Sequence, residues 1–203
     1  MSPILDFLAE ARVVAVLRSG SAVDTAIDNA IRLREAGVRA FECTLDNPDA
    51  LRMIQALRIQ LGDTCRVGAG TVTTVQQVER LAELDAAFLM TPHLDPDVVS
   101  TAIEYGLTVV PGVMTPTEIS AAFRLGVEAV KLFPAGSLGI EYLQTLQGPF
   151  GRFPVIPTGG IGLAEAARWL EAGALCVGLG SALVASPLPH PALNDLLGVE
   201  PTP

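Results

Sequence analysis

The stretch "LREAGVRAFECTL", residues 33–45, changes character at a single glycine. Up to Gly37 it reads as the end of an amphipathic helix, and from Val38 it runs as an apolar strand. Glycine suits the C′ position between the two, because it enters the left-handed region at little cost. The same grammar recurs in "IEYGLTVVPGV" (103–113), "FRLGVEAVKLFP" (123–134) and "LEAGALCVGLG" (170–180), with Gly106, Gly126 and Gly173 at the junctions. Less regular copies are "RVVAVLR" (12–18), "CRVGAGT" (65–71), "AAFLMTP" (86–92) and "FPVIPTGG" (153–160). Eight strands are therefore expected, starting near residues 13, 38, 66, 86, 107, 127, 153 and 174. The helices between them open at Ser, Thr, Asp or Asn caps, often followed by proline: "SAVDTAID" (21–28), "DNPDALRM" (46–53), "LDPDVVST" (94–101) and "TPTEISAA" (115–122).

Near-continuous apolar strands alternating with helices imply a parallel sheet covered by helices. Eight such units predict an α/β fold, a single (β/α)₈ TIM barrel with a short N-terminal helix. An open doubly wound sheet is the competing arrangement, but no Gly-x-Gly-x-x-Gly opens the first helix. A length of 203 residues fits one such domain over 1–203, with the barrel core at about 12–185 and a C-terminal tail at about 186–203.

Half the residues are hydrophobic and 17% are charged, which favours a large aliphatic core over a disordered chain. A formal charge of −9 argues against a nucleic-acid partner, since phosphate-backbone binding needs concentrated positive charge. Cys43, Cys65 and Cys176 lie far apart, forming neither a disulfide framework nor a zinc pattern, and His93 and His190 stand alone, so no metal is expected. The start "MSPILDFLAEAR" lacks a basic n-region, and no apolar run approaches a membrane span. A soluble cytoplasmic protein is the expectation.

In such a barrel, chemistry lies at the C-terminal ends of the strands. Lys131 is found there, and it is the one lysine among 13 basic side chains. A surface lysine is easily replaced by arginine, so the survivor should mark a place where guanidinium cannot serve. Arginine keeps its proton, whereas a desolvated lysine shifts toward the neutral amine that forms Schiff bases with carbonyl substrates. Glu42 lies on the same strand face as Val38, Ala40 and Thr44. A carboxyl there is either a structural ion pair, with an arginine from a neighbouring strand, or a proton shuttle with a raised pKa. "GAGT" (68–71), "PTGGIG" (157–162) and "GLGS" (178–181) present backbone amides at strand ends. The last two follow the seventh and eighth expected strands, where such barrels frequently hold a phosphate. Arg18, Thr71, Pro92 and Thr158 complete the polar or rigid positions of this rim.

"FECTL", "VGAGTV", "MTPHL", "VVPGVMTPTE", "VKLFPAG", "IPTGGI" and "CVGLGSALV" occur in the order and spacing of a known family. From about residue 10 to 185 the chain resembles the 2-keto-3-deoxy-6-phosphogluconate / 4-hydroxy-2-oxoglutarate aldolases, small class I enzymes. The resemblance implies a homotrimer without metal or organic cofactor. Its substrates would be small molecules: a keto acid cleaved reversibly to pyruvate and glyceraldehyde 3-phosphate, or to pyruvate and glyoxylate. It implies that Lys131 forms the Schiff base and Glu42 is the general acid/base. It also implies that Thr71 holds the pyruvate carboxylate, that Pro92 and Phe133 pack on the intermediate, and that Gly159, Gly160 and Ser181, with Gly180 beside them, bind phosphate. Many members carry an arginine where this chain has Asp46, which leaves Arg18 as the cation for the carboxylate and leaves the substrate's C4 configuration open. "ECTLDNP" (42–48) comes near the related phosphogalactonate aldolases. An isomerase, epimerase or phosphate-ester synthase would explain the glycine loops equally well, but would leave Lys131 without a task; a sugar-phosphate-binding barrel without chemistry would leave both Lys131 and Glu42 idle.

Overall fold

The computed structural model describes residues 1–18 and 23–198. Among these residues the strands are β1 (Val13–Leu17), β2 (Ala40–Thr44), β3 (Arg66–Gly70), β4 (Leu89–Met90), β5 (Val109–Val110), β6 (Gly112–Val113), β7 (Val130–Leu132), β8 (Val155–Pro157) and β9 (Val177–Leu179). They form a six-stranded sheet in the order β5-β4-β3-β2-β1-β9 and a three-stranded sheet in the order β6-β7-β8. All their pairings are parallel, for example Val16 against Glu42 and Lys131 against Ile156. The fold is α/β, a curled parallel sheet with helices packed on it.

Pro111 alone separates β5 from β6. Proline lacks the N–H that a central ladder requires, so the strand breaks there. This break was not expected from the sequence. The remaining strands start at or slightly after their expected positions: β1 and β3 as expected, the others two or three residues late. At β2, β5 and β9 the glycine junctions supply part of the reason. Gly37, Gly106 and Gly173 adopt φ of 96°, 70° and 99°. The residue after each still donates back into the helix: Val38 to Leu33 O at 3.0 Å, Leu107 to Ala102 O at 2.9 Å and Ala174 to Trp169 O at 3.1 Å. These are Schellman closures, and a residue committed to one joins no strand. Asp85, at φ 51°, plays the glycine's part before β4.

Caps behave largely as read. Thr115 accepts from the Glu118 N–H and Glu118 reaches back to the Thr115 N–H, a full capping box at the start of α6 (Pro116–Arg124). Asp95 accepts from the Asp97 and Val98 N–H groups at α5 (Pro96–Glu104). At α3 (Ala50–Leu61) Asp49 occupies the cap position without a side-chain capping bond, its carboxylate accepting from Arg52 instead; Asn47 Oδ1 accepts from the Asp49 N–H at 2.9 Å. The expected cap of α2 (Val23–Glu35) falls at residues 21–22, outside the described residues.

Two apolar clusters result from strand alternation. The inner one contains Val14, Ala40, Phe88, Met90, Val110, Ala129, Ile156 and Cys176, closed from below by Leu5 and Leu8 of α1 (Pro3–Ala11). The outer one, between sheet and helices, contains Phe41, Cys43, Val130, Leu132 and Trp169. The segment expected as a tail carries α11 (Pro191–Leu197), whose Leu193 and Leu196 are buried in this outer core. Among the described residues no helix is long and apolar enough to cross a membrane.

Candidate active site

Ala129, just before β7, belongs to the inner cluster, and Lys131, two residues further along the extended chain, shares its face. Glu42 stands two residues past the inner Ala40 on β2. The two side chains meet inside the sheet: Lys131 Nζ is 3.4 Å from Glu42 Oε1, with the residues 5% and 1% exposed. The structural alternative for Glu42, an arginine partner, is thereby replaced: its partner is the lysine. Burying two charges costs several kcal/mol per ion, and a well-packed apolar pair would serve stability at least as well. The pair therefore calls for a chemical reason. Among the described residues Glu42 Oε2 is buried without a hydrogen-bond partner, so one acceptor oxygen remains uncommitted.

The glycines of "GAGT" explain how Glu42 fits. A Cβ at Gly70 would lie 1.7 Å from Glu42 Oε1, and one at Gly68 would lie 2.5 Å from the Phe88 ring. These glycines sit within β3, where they clear space for side chains. Their sequence pattern suggests open backbone amides; in the structure their visible role is this clearance. Thr71, directly after them, is held at φ 58°, a left-handed conformation costly for a β-branched residue. Such strain at a strand end persists only where the surroundings over-determine it, and functional sites are where it concentrates.

Pro92 is fixed against β6, since a Cβ at Gly112 would lie 2.4 Å from the Pro92 carbonyl carbon. Thr91 Oγ1 donates to His93 O and accepts from the Gly112 N–H at 3.1 Å, and Gly112 pairs in register with Lys131. Phe133 covers the lysine, with Nζ 5.5 Å from its ring centroid, and Gly159 leaves room for that ring. The clearing role of Gly68, Gly70 and Gly112 leaves no local pattern in the sequence, because clearance depends on cross-strand packing.

A separate cavity of about 390 Å³ opens beside these groups, lined by Val16, Arg18, Thr158, Gly159, Gly160, Ile161, Gly162, Gly180, Ser181 and Ala182. Thus the structure gathers Thr158, Gly159, Gly160, Gly180 and Ser181 around one space and adds Arg18 as its cation. Gly159 and Gly160 adopt φ of 92° and 74°, a turn that favours glycine. Thr158 and Gly178 form a bridge between strand ends, and a Cβ at Gly178 would lie 2.3 Å from Thr158 Oγ1. A larger surface depression, about 1030 Å³, lies at the opposite strand ends, beside Pro3, Arg58, Cys65, Arg66 and Asp85. Neither space is lined by Lys131 or Glu42, but the smaller one adjoins Gly159, which makes room for the Phe133 ring over Lys131, and that position decides between the two.

The cysteines stay outside this chemistry. Burial, then the Glu42 charge, pushes the Cys43 thiol up to about 12, and the same causes raise that of Cys176. Burial raises Cys65 as well, against a hydrogen bond from Thr64 and the charges of Arg34, Arg39 and Arg66. All three are neutral thiols at ordinary pH. No group of three or more potential metal ligands occurs among the described residues.

Comparison with known proteins gives a consistent result. A family model described as "Aldolase: KDPG and KHG aldolase" matches residues 4–195. The 2-dehydro-3-deoxy-6-phosphogalactonate aldolase of Escherichia coli is 34% identical over 172 residues, covering 84% of this chain and 83% of the relative. The 2-dehydro-3-deoxy-phosphogluconate aldolase of Haemophilus influenzae is 35% identical over 161 residues, 79% of this chain and 75% of its own. Among solved structures, KDPG aldolase from Legionella pneumophila, with pyruvate captured as a covalent carbinolamine intermediate, superposes with a TM-score of 0.82 at 26% identity. It covers 98% of each chain.

Proposed function

The chain belongs to the KDPG and KHG aldolase family and is a class I aldolase, a carbon–carbon lyase, and we propose that Lys131 is its Schiff-base residue and Glu42 its general acid/base. One observation carries the assignment: the chain's only lysine is buried with its Nζ 3.4 Å from a buried carboxylate.

The substrate is a 2-keto-3-deoxy acid: 2-keto-3-deoxy-6-phosphogluconate, giving pyruvate and glyceraldehyde 3-phosphate, or 4-hydroxy-2-oxoglutarate, giving pyruvate and glyoxylate. Glu42 takes a proton from Lys131, and the neutral amine adds to the C2 carbonyl. Glu42 gives that proton to the carbinolamine hydroxyl, which leaves as water, so an iminium ion forms and Glu42 is again a carboxylate. Glu42 then removes the proton of the C4 hydroxyl, and the C3–C4 bond breaks. Its electron pair moves toward C2, forming an enamine and releasing the aldehyde. The protonated Glu42 returns its proton to C3, and water hydrolyses the iminium to free pyruvate and Lys131. Thr71 holds the pyruvate carboxylate, while Pro92 and Phe133 wall the intermediate and keep water from it. Arg18, Gly159, Gly160, Gly180 and Ser181 hold the terminal phosphate, with Thr158 at the junction of the two regions. Grouping Arg18 with the glycine loops favours the phosphate over the carboxylate as its counter-ion.

The two sheets are best understood as one eight-stranded barrel over a single domain. Only Pro111 parts β5 from β6, and the Leu175 N–H donates to Val155 O at 2.8 Å beside the Thr158–Gly178 bridge. The working unit is a homotrimer, as the family resemblance implies, which light scattering of the purified protein will test. The galactonate-type phosphate is the second substrate reading, favoured by the E. coli relative and by Asp46 in place of a cation. Side-by-side cleavage assays with the three keto acids decide between them. Lys131→Arg tests the assignment itself. The variant should fold and lose cleavage; undiminished turnover would remove Schiff-base chemistry at this residue.

A further inference from the structure

Helix α10 (Ser181–Val184) is a single turn, and its first residue is part of the Arg18 cavity. The Leu183 and Val184 N–H groups donate to Gly180 O at 3.0 and 3.1 Å, so the two ends of the turn move together. Carbonyls at the end of a helix have no partner within it. Here one guanidinium supplies the missing donors: Arg32 of α2 donates through Nη2 to Val184 O and through Nη1 to Ser186 O at 2.8 Å. Asn29 Oδ1, 3.5 Å from Nη2, steadies it from one turn earlier on α2. A planar fork of donors reaches two carbonyls at once in a way an ammonium does not.

The space around this contact makes it consequential. A cavity of about 180 Å³, touched by Arg18, Ala26, Asn29, Ser181 and Val184, lies between α2 and α10. Among the described residues this part of the gap between the two helices is not filled by apolar packing, while Leu183 anchors the turn in the outer core. Arg32 spans from one to the other by hydrogen bonds.

We propose that Arg32 is a positioning residue for the phosphate-binding loops, holding Gly180 and Ser181 in place by clamping the far end of α10. The inference rests on the reading that this cavity holds the substrate phosphate. Arg32 touches neither the substrate nor Lys131; it acts through α10.

The test compares Arg32→Met and Arg32→Lys with the parent enzyme on two substrates, 2-keto-3-deoxy-6-phosphogluconate and 4-hydroxy-2-oxoglutarate, and measures competitive inhibition by inorganic phosphate. For Arg32→Met, KM for the phosphorylated substrate and the inhibition constant of phosphate should rise by about three- to tenfold, as expected when charge-assisted hydrogen bonds are lost from a supporting contact. KM for 4-hydroxy-2-oxoglutarate and both kcat values should stay within about twofold. Arg32→Lys, which keeps the charge and one donor path, should fall between the two, and it makes the same comparison if the methionine variant does not fold. An unchanged KM for the phosphorylated substrate in a folded variant overturns the inference. So does an equal loss on both substrates, which is the mark of a merely structural contact. Failure of the underlying reading shows separately, in the parent enzyme: if phosphate does not compete there, the cavity is not a phosphate site and the inference falls with it.

Discussion

Gly70→Ala is the smallest change that reaches the proposed general base without altering it. The added Cβ would lie 1.7 Å from Glu42 Oε1, 2.5 Å from its Cδ and 2.7 Å from its Cγ. Real Cβ atoms do not approach other heavy atoms closer than 3.0 Å, so Oε1 must retreat by at least 3.0 − 1.7 = 1.3 Å. Glu42 is 1% exposed, so it has no solvent to swing into and must rotate within the site, breaking the 3.4 Å contact with Lys131. A displacement of about 1 Å costs a positioned catalytic group on the order of 10²-fold, and full loss of acid/base assistance costs about 10²–10⁴. We expect kcat for aldol cleavage to fall by about 10²–10³, measured by coupling released pyruvate to lactate dehydrogenase. Stability should change far less, because alanine reduces the freedom of the unfolded chain by about 0.4–1 kcal/mol and so offsets part of the strain. A Gly70→Ala protein that melts near the parent temperature and turns over at the parent rate would refute the reasoning, since Glu42 would then not need its observed position.

Two further outcomes are expected. Thr71→Gly relieves a left-handed conformation that costs a non-glycine residue about 1–2 kcal/mol, so the melting temperature should hold or rise by about 2–4 °C while kcat/KM falls at least about tenfold; a destabilised variant with full activity would contradict both parts. At α6, burial alone would raise the Glu118 carboxyl, but hydrogen bonds from the Met114 and Thr115 N–H groups and the Thr115 hydroxyl hold it below its ordinary value. A value lowered by folding stabilises above the unfolded pKa of about 4.3 and is lost as pH falls through the folded one. The Glu118→Gln melting temperature, followed from roughly pH 6 to pH 3, should therefore decline less than the parent's; parallel curves would count against the capping box as a source of acid sensitivity.

The repeat of helix, glycine and apolar strand was legible because it depends on local chemistry: Gly37, Gly106 and Gly173 sit at positive φ where the junctions were placed. Lys131 and Glu42 were legible as charges in apolar runs, and the structure brings them together from residues 89 positions apart. What escaped the sequence depends on contacts between distant strands. Gly70 matters because Glu42 crosses it, and Gly112 because Pro92 rests on it. Arg32 looked like any helix-surface arginine, since its two carbonyl acceptors lie more than 150 residues later in the chain. The starts of β2, β5 and β9 fall later than the apolar pattern suggests, in part because Schellman closures draw the residue after Gly37, Gly106 and Gly173 back toward the helix.

The central claim is that a single amine performs the chemistry, and one measurement addresses it directly. The protein is incubated with pyruvate, reduced with borohydride, and weighed intact and after digestion. Because Lys131 is the only lysine, the chain offers just one ε-amine, and the α-amine at Met1 is the other candidate. The account predicts one reduced pyruvyl adduct per chain, on the peptide containing Lys131. An active enzyme that yields no adduct there, or carries it only at Met1, would contradict it.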